Sequence, residues 1–260
     1  MEIAQGEFKN FEVINDGDNV FGYLALYELD KIGKNKYNYS YLLLDKNLNK
    51  VQNGEFVLES LESKKYLLGT NYNNGNLLLQ FSNVKQPYAT DVLVKIDLKK
   101  NQSTPSLTLV NDELIPVNDF LQSGLKSADL MTIKNAGTEG FLIQRFVKRS
   151  KDEKKLPILY DAEFLKAQKK FNDNKKEYFE MLFASNTLMI IRDFGGKDEV
   201  LTFYDIEDGQ YKFKLTLHQK YNLFKSFTKE TGDEIIIIGE YNESKFSVVN
   251  DGIFKLKFNL

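Results

Sequence analysis

The sequence has no cysteine and no tryptophan, and only one histidine and four prolines among 260 residues. Without cysteine, disulfide bonds, thiolate catalysis and cysteine-based zinc sites are all excluded. The single histidine, His218, follows a predicted outer strand, and one imidazole cannot form a multi-histidine metal site. We therefore expect no metal and no cofactor.

Familiar catalytic motifs are also missing from the sequence. It contains no Gly-x-Ser-x-Gly nucleophile elbow, no phosphate-binding P-loop and no Gly-x-Gly-x-x-Gly dinucleotide motif. The pair Gly195-Gly196 follows a predicted strand, which is typical of a hairpin turn. These absences favour a protein that is not an enzyme.

Long hydrophobic segments are absent as well. Purely apolar runs such as Ile235 to Ile238 have the length of a strand and not of a membrane-spanning helix. Residues 1–6 carry neither the basic nor the apolar region of a signal peptide. The sequence is thus expected to be either cytoplasmic or the mature form of an exported protein.

Neither sign of charge is in excess. The 35 lysines and arginines are balanced by 37 aspartates and glutamates, for a formal net charge of −2. Such a balance produces no positive field that would attract a nucleic acid. We therefore expect no nucleic-acid partner.

What the sequence does have is a repeat rich in aromatic residues, with 20 Phe and 14 Tyr. Five segments share a turn residue, three or four apolar residues, one or two polar residues and an aromatic residue. They span 21–27, 75–81, 140–146, 188–194 and 235–241. They recur at steps of about 47 to 64 residues, and four-stranded propeller blades recur at about 40–50 residues. Continuous apolar runs of this length indicate strands that are buried on both faces.

A second predicted strand follows each apolar run and ends in an acidic turn. These turns contain Asp45, Asp97, Asp161, Asp205 and Asp251. Aspartate suits such a position because its carboxylate accepts hydrogen bonds from the backbone two residues further on. We interpret these residues as structural and not as an active site.

The repeat predicts a single all-β, β-propeller-like domain over residues 1–260 with about five four-stranded blades. The blades are expected at 7–60, 63–110, 128–171, 177–217 and 221–260. Residues 111–127 are predicted to be an insertion loop without strands, with a short helical turn near Asp119. Residues 161–176 are predicted to be helical or irregular, with Asp161 as a helix N-cap.

A strand from Phe8 to Ile14 could close the ring by lying beside the last blade, because closure removes exposed sheet edges. A β-sandwich and a partial propeller are the alternative folds.

Three stretches carry a resemblance at the level of the repeat: Tyr41–Val51, Tyr72–Leu79 and Asp91–Leu98. With them, most of residues 20–110 resembles uncharacterised exported β-propeller-like proteins of the Bacteroidetes, and the rest of the chain does so more faintly. The Trp-Asp, Ser-x-Asp-x-Gly-x-x-Trp and kelch signatures of other propellers are missing. The resemblance implies a periplasmic or secreted protein of unknown role, and it carries over no functional residues.

One set of acidic residues suggests chemistry. Glu28, Asp193 and Glu240 each follow the apolar run of units one, four and five, which are consecutive in a closed ring. Two carboxylates about 5–10 Å apart can hydrolyse glycosides. The alternative interpretation is that acidic residues at strand ends merely solvate the rim.

The leading functional hypothesis is a non-catalytic binding module that presents loops on a rigid β scaffold to a protein or glycan ligand. A glycan-active hydrolase that uses the three rim carboxylates is the second hypothesis. The third is a structural part of a larger assembly, and the sequence leaves the oligomeric state open.

Overall fold

The computed structural model describes residues 6–17, 19–61, 65–82, 90–125, 128–146, 156–171, 179–193, 199–217, 222–242 and 251–259. His218 and most of the predicted strand from Phe246 to Asp251 lie outside these residues. The chain forms two compact units, Met1–Asn174 and Lys175–Leu260.

The first unit contains three antiparallel sheets. The strands of sheet 1 are β1 (Glu7–Asp16), β2 (Asn19–Gly33), β3 (Lys36–Asp45) and β4 (Lys50–Glu59). Those of sheet 2 are β5 (Tyr66–Asn73), β6 (Asn76–Ser82), β7 (Val92–Asp97), β8 (Gln102–Ser103), β9 (Leu107–Val110) and β10 (Glu113–Pro116). The helix α1 (Val117–Gln122) follows β10. The strands of sheet 3 are β11 (Leu130–Asn135), β12 (Phe141–Phe146), β13 (Ile158–Tyr160) and β14 (Ala167–Lys170). A 3-10 turn lies at Gly137–Glu139.

The second unit contains two antiparallel sheets. The strands of sheet 4 are β15 (Phe179–Ala184), β16 (Leu188–Asp193), β17 (Glu199–Asp205) and β18 (Tyr211–Leu217). Those described in sheet 5 are β19 (Asn222–Thr231), β20 (Glu234–Asn242) and β21 (Gly252–Asn259).

The fold is all-β and propeller-like, as the repeat predicts. Sheets 1, 3 and 4 each consist of four consecutive strands in the order in which they occur along the chain. Such up-and-down sheets are the repeating unit of β-propellers, whereas a β-sandwich of the immunoglobulin type uses Greek-key connections. Each predicted apolar run forms the second strand of its sheet.

Residues 111–127 correct one sequence-based prediction. They were expected to lack strands, but Glu113–Pro116 forms β10, which pairs with β9 across a two-residue turn. Both turn residues, Asn111 and Asp112, have positive φ, the conformation that a type I′ hairpin requires. The predicted helical turn near Asp119 is confirmed, because α1 contains this residue.

The described part of residues 161–176, which ends at residue 171, corrects a second prediction. Asp161 was expected to cap a helix, but its carboxylate accepts hydrogen bonds from the backbone N–H groups of Phe164 and Lys166 at 2.5 and 2.9 Å. These bonds close a turn, and β14 then pairs with β13. A strand occupies the position that the repeat requires.

The N-terminal strand belongs to the first sheet. β1 pairs with β2 from Glu7 opposite Glu28 to Asp16 opposite Asn19. The strand order of sheet 5 is β19-β20-β21 in the described part of the chain. The pairing therefore assigns β1 to sheet 1, and the closure of a ring stays a prediction.

The central strands β6 and β7 of sheet 2 are buried on both faces, and this explains their continuous apolar runs. Leu77, Leu79 and Phe81 of β6 pack in one cluster with residues of sheet 1. Leu78, between them in sequence, packs in another cluster with sheet 3. Because successive side chains of a strand point to opposite faces, a strand between two cores must be apolar at every position.

The isoleucine run of β20 behaves differently. Ile235 and Ile237 are fully buried in a cluster formed by sheets 4 and 5, whereas Ile236 and Ile238 are only partly buried. The expectation that all five runs are buried on both faces is therefore wrong for this strand. The neighbouring β21 alternates between partly buried and exposed side chains, with Lys255 and Lys257 exposed.

The predicted role of the acidic turns is confirmed at four of the five aspartates. Asp45 Oδ1 accepts the backbone N–H groups of Asn47 and Asn49 at 2.8 and 2.9 Å. Asp97, Asp161 and Asp205 accept backbone N–H groups in the same way. The hydrogen bonds from Asn49, with the side-chain amide first, lower the pKa of Asp45 below its ordinary value of 3.8.

Replacing Asp45 with asparagine is expected to lower the melting temperature by a few degrees at most at pH 7. A carboxylate whose pKa is depressed by folding stabilises the protein above its unfolded pKa, and this contribution is lost as the pH falls through its folded pKa. The difference between Asp45→Asn and wild type should therefore shrink as the pH is lowered from 5 to 3 in thermal melts. Asp30→Asn, at an exposed residue of β2 without a described hydrogen bond, is the control. A constant difference for Asp45→Asn across this range would contradict the assignment.

Candidate functional site

A cavity of about 880 Å³ lies in the first unit between sheet 1 and sheet 2. Residues of β1, β2 and β3 line one side of it, and residues of β5 and β6 line the other. Both β1 and β5 are the terminal strands of their sheets in the described pairing. The cavity is therefore flanked by two strand edges, whose backbone groups a β-strand ligand could reach.

Both edge strands contain a β-bulge at the cavity. The pairing of β1 with β2 passes from Phe8 opposite Tyr27 to Asn10 opposite Leu26, so Lys9 is the extra residue. In β5 the pairing passes from Leu67 opposite Phe81 to Gly69 opposite Gln80, so Leu68 is the extra residue. A bulge redirects the side chain of the extra residue. Lys9 and Leu68 both line the cavity.

One wall of the cavity is charged. Lys9 Nζ contacts Glu7 Oε2 at 2.7 Å and Glu28 Oε2 at 3.3 Å. The hydroxyl of Tyr39 donates a hydrogen bond to Glu28 Oε2 at 3.1 Å. The hydrogen bond to Glu7 and the charge of Glu28 raise the pKa of Lys9. Burial, reinforced by the charge of Glu28, raises the pKa of Tyr39 well above its usual range, so this hydroxyl stays protonated as a donor.

The opposite wall is apolar and rigid. Leu67 and Phe81 line the cavity, and Phe81 belongs to the core beneath it. The rings of Tyr39 and Phe56 are stacked with centroids 5.5 Å apart, and Phe81 lies 6.1 Å from Tyr39. Phe8 is 55% exposed at the mouth and meets Tyr27 edge-on. A ligand would meet a fixed apolar surface beside fixed charges, which is the usual composition of a binding pocket.

A buried ion pair lies beside this cavity. Lys65, which lines it, contacts Asp91 with its Nζ 2.7 Å from Oδ2. The side chains are 0% and 6% exposed. Asp91 is also fixed through its backbone carbonyl, which accepts a hydrogen bond from the hydroxyl of Thr108 at 2.8 Å. The ion pair links the start of β5 to the start of β7.

Of the three carboxylates predicted from the sequence, the structure places only Glu28 at this cavity. Asp193 ends β16 in sheet 4, and Glu240 lies on β20 opposite Ile253. Glu28 belongs to the first unit, and the other two belong to the second. Their convergence in one cleft stays a prediction. The sequence did not identify Lys9, Tyr39 or Lys65 as site residues, because β-bulges and contacts between sheets produce no local sequence pattern.

The described residues contain no cluster of three or more His, Cys, Asp or Glu side chains that could hold a metal ion. None of the helices in the described part of the chain has the length and hydropathy that crossing a membrane would need.

Comparison with known proteins places the chain in a family. The sequence profile of the family of unknown function DUF6770 matches residues 1–256. The chain belongs to this family. No curated protein matches it.

Two peptidase structures are similar to the chain. One comes from a structural and mechanistic analysis of two prolyl endopeptidases, at 10% identity and a TM-score of 0.44, covering 92% of this chain and 34% of that one. The other is an acylaminoacyl peptidase of Pyrococcus horikoshii, at 9% identity and a TM-score of 0.38, covering 90% and 42%. The DUF6770 chain thus spans less than half the length of either peptidase chain.

Proposed function

We propose that the chain is a non-catalytic binding module whose ligand is an extended peptide segment of a partner protein. The supporting observation is the cavity between the edges of β1 and β5, with the bulge residues Lys9 and Leu68 on its two sides. Edge strands bind extended peptides through their main chains, and pockets for alternate side chains then provide specificity.

The lining of the cavity indicates the character of this peptide. The apolar wall at Leu67 and Phe81 suits an aliphatic or aromatic side chain. The wall at Glu7, Lys9 and Glu28 suits a polar or charged side chain. Such a side chain would contact the exposed carboxylate of Glu7. We therefore infer a ligand strand with apolar and polar residues in alternation.

The absence of tryptophan provides a direct test, because Leu68→Trp introduces a single indole into the cavity wall. A phage library of random heptapeptides should yield an alternating apolar and polar consensus. The selected peptide should shift the tryptophan emission of Leu68→Trp. Ile253→Trp, on the exposed face of β21, is the matched control and should not respond. Failure to enrich any peptide, or an equal response of the two variants, would overturn the proposal.

A glycoside hydrolase is the second candidate, and one contact favours it. Since Lys9 touches both Glu7 and Glu28, their contacting oxygens are at most about 6 Å apart, which is compatible with the separation of about 5–5.5 Å in retaining glycosidases. The same contact argues against it, because the ammonium group already neutralises part of the charge that catalysis would use. Assays with aryl glycosides distinguish the two candidates. Hydrolysis by the wild-type protein that is abolished by Glu28→Gln would establish a glycoside hydrolase and contradict the proposal of a non-catalytic binding module.

A further inference from the structure

A second, more polar cleft of about 510 Å³ lies between the turns of sheets 2 and 3 in the first unit. It is separate from the cavity described above and shares none of its lining residues. The ends of β5, β6 and β7 form one side, and the turn after β13 forms the other.

Two asparagines that line this cleft each have a buried amide oxygen without a donor. Asn73 is 2% exposed and Asn76 is 8% exposed. The amide nitrogen of Asn73 donates to Asn135 Oδ1 at 2.9 Å and to the carbonyl of Gly140 at 2.8 Å, which fixes its orientation. No donor in the described part of the chain reaches Oδ1 of Asn73 or Oδ1 of Asn76. A buried acceptor without a partner is destabilising, so both oxygens favour a ligand that donates hydrogen bonds.

An exposed aromatic ring lies at the rim of the same cleft. Phe164 is 67% exposed, yet its backbone is held by the hydrogen bond to Asp161. The next residue, Leu165, has φ of +54° and is buried in the core between sheets 2 and 3. Lys166 Nζ lies 5.9 Å from the centroid of the Phe164 ring, and most of this apolar side chain is exposed at the rim of the cleft.

The remaining wall carries both donors and acceptors. Lys100 Nζ lies 3.2 Å from Asp97 Oδ2 and 3.5 Å from Glu163 Oε1. Lys99 Nζ donates to Asn74 Oδ1 at 3.3 Å. These exposed groups can accept from a ligand or donate to it, and their charges largely compensate one another.

We propose that this cleft binds a neutral carbohydrate. A pyranose ring has an apolar C–H face for Phe164 and hydroxyl groups that can donate to the Asn73 and Asn76 oxygens. Its ring and hydroxyl oxygens can accept from Lys99 or Lys100. An anion would meet the unpaired acceptor oxygens and the carboxylates unfavourably. A metal ion would lie beside the lysines, and a purely apolar ligand would leave both amide oxygens unpaired.

The test titrates the full chain with neutral trisaccharides: maltotriose, cellotriose, xylotriose, mannotriose and chitotriose. Isothermal calorimetry should detect at least one of them with a Kd of about 1 mM or tighter. Phe164→Ala should weaken that binding about tenfold, since one lost contact of this kind corresponds to about one decade. Phe11→Ala removes another exposed phenylalanine, one that does not line the cleft, and should leave the affinity unchanged.

Asn76→Leu separates a binding role from a structural one. It replaces the unpaired amide with an apolar side chain of similar size, so the melting temperature without sugar should stay the same or rise, while sugar binding is lost. Failure of all five sugars to bind, or binding that neither Phe164→Ala nor Asn76→Leu weakens, would overturn the proposal. The peptide-binding proposal is unaffected by either result, because Leu68→Trp reports on the other cavity.

Discussion

Replacing Gly140 with alanine is expected to lower the free energy of unfolding by about 3–5 kcal/mol, from backbone strain and overpacking together. Gly140 precedes β12 with φ of +130° and ψ of −138°, a conformation that essentially only glycine adopts. A Cβ atom at this position would lie 2.1 Å from the backbone carbonyl oxygen of Tyr160. The Cβ atom would be bonded directly to the backbone of residue 140, and the carbonyl oxygen belongs to the backbone of Tyr160. Neither atom can therefore move without disturbing the strand pairing of sheet 3. Urea denaturation followed by circular dichroism measures the loss.

Two other glycines separate the causes of this effect. Gly124 also has positive φ, at +71°, but a Cβ atom there would meet nothing within 4 Å. Gly124→Ala should therefore cost about 1–2 kcal/mol, from the backbone conformation alone. Gly69→Ala has neither problem and should be nearly neutral. Equal losses for Gly140→Ala and Gly124→Ala would show that the close approach to Tyr160 is unimportant.

Gly140 also explains one feature of the repeat, which is the glycine at the start of the apolar run. Gly22 precedes the apolar run of sheet 1, as Gly140 does in sheet 3, and a Cβ atom on it would lie 2.2 Å from the carbonyl oxygen of Leu44. The sequence identified these positions as turn residues. The structure shows that glycine is needed there because the second strand of the sheet approaches the third strand closely.

Local features were predictable because the chemistry that determines them is local. The carboxylate of Asp45 closes its turn with residues two and four positions further on, so the turn is visible in the sequence. β6 was equally visible, since a strand buried on both faces must be apolar throughout. β10 was missed because Pro116 suggested a loop, although proline is tolerated on an edge strand.

The candidate site was not predictable, because its geometry depends on irregular backbone positions and on contacts between residues far apart in the sequence. Lys9 reaches Glu28 only because a bulge makes it the extra residue of β1, and regular alternation would have given its position another direction. Residues 161–176 were predicted to be helical or irregular, whereas a turn closed by Asp161 places Phe164 in solvent. In both places one irregular backbone position decides where the side chain points.

Replacing Lys65 with methionine is expected to cost about 3–5 kcal/mol, because it removes the ammonium group that pairs with the buried carboxylate of Asp91. The double variant Lys65→Met/Asp91→Leu should recover most of this loss, since two apolar side chains bring no uncompensated charge into the interior. Lys36→Met is the matched control: Lys36 contacts Glu59 at 2.5 Å, but the lysine side chain is 49% exposed. Removing that exposed pair should change stability by about 0–1 kcal/mol.

A double-mutant cycle in urea then isolates the coupling between Lys65 and Asp91. If Lys65→Met cost no more than Lys36→Met, the pair could not be the electrostatic link between β5 and β7. The double variant also tests whether this link serves the cavity that Lys65 lines. Should it fold as stably as wild type and still bind the selected peptide, the ion pair stabilises the fold alone. Should it fold equally well but bind more weakly, the charges of the pair contribute to the ligand site as well. Either result distinguishes the contribution of the ion pair to the stability of sheet 2 from its contribution to peptide binding at β5.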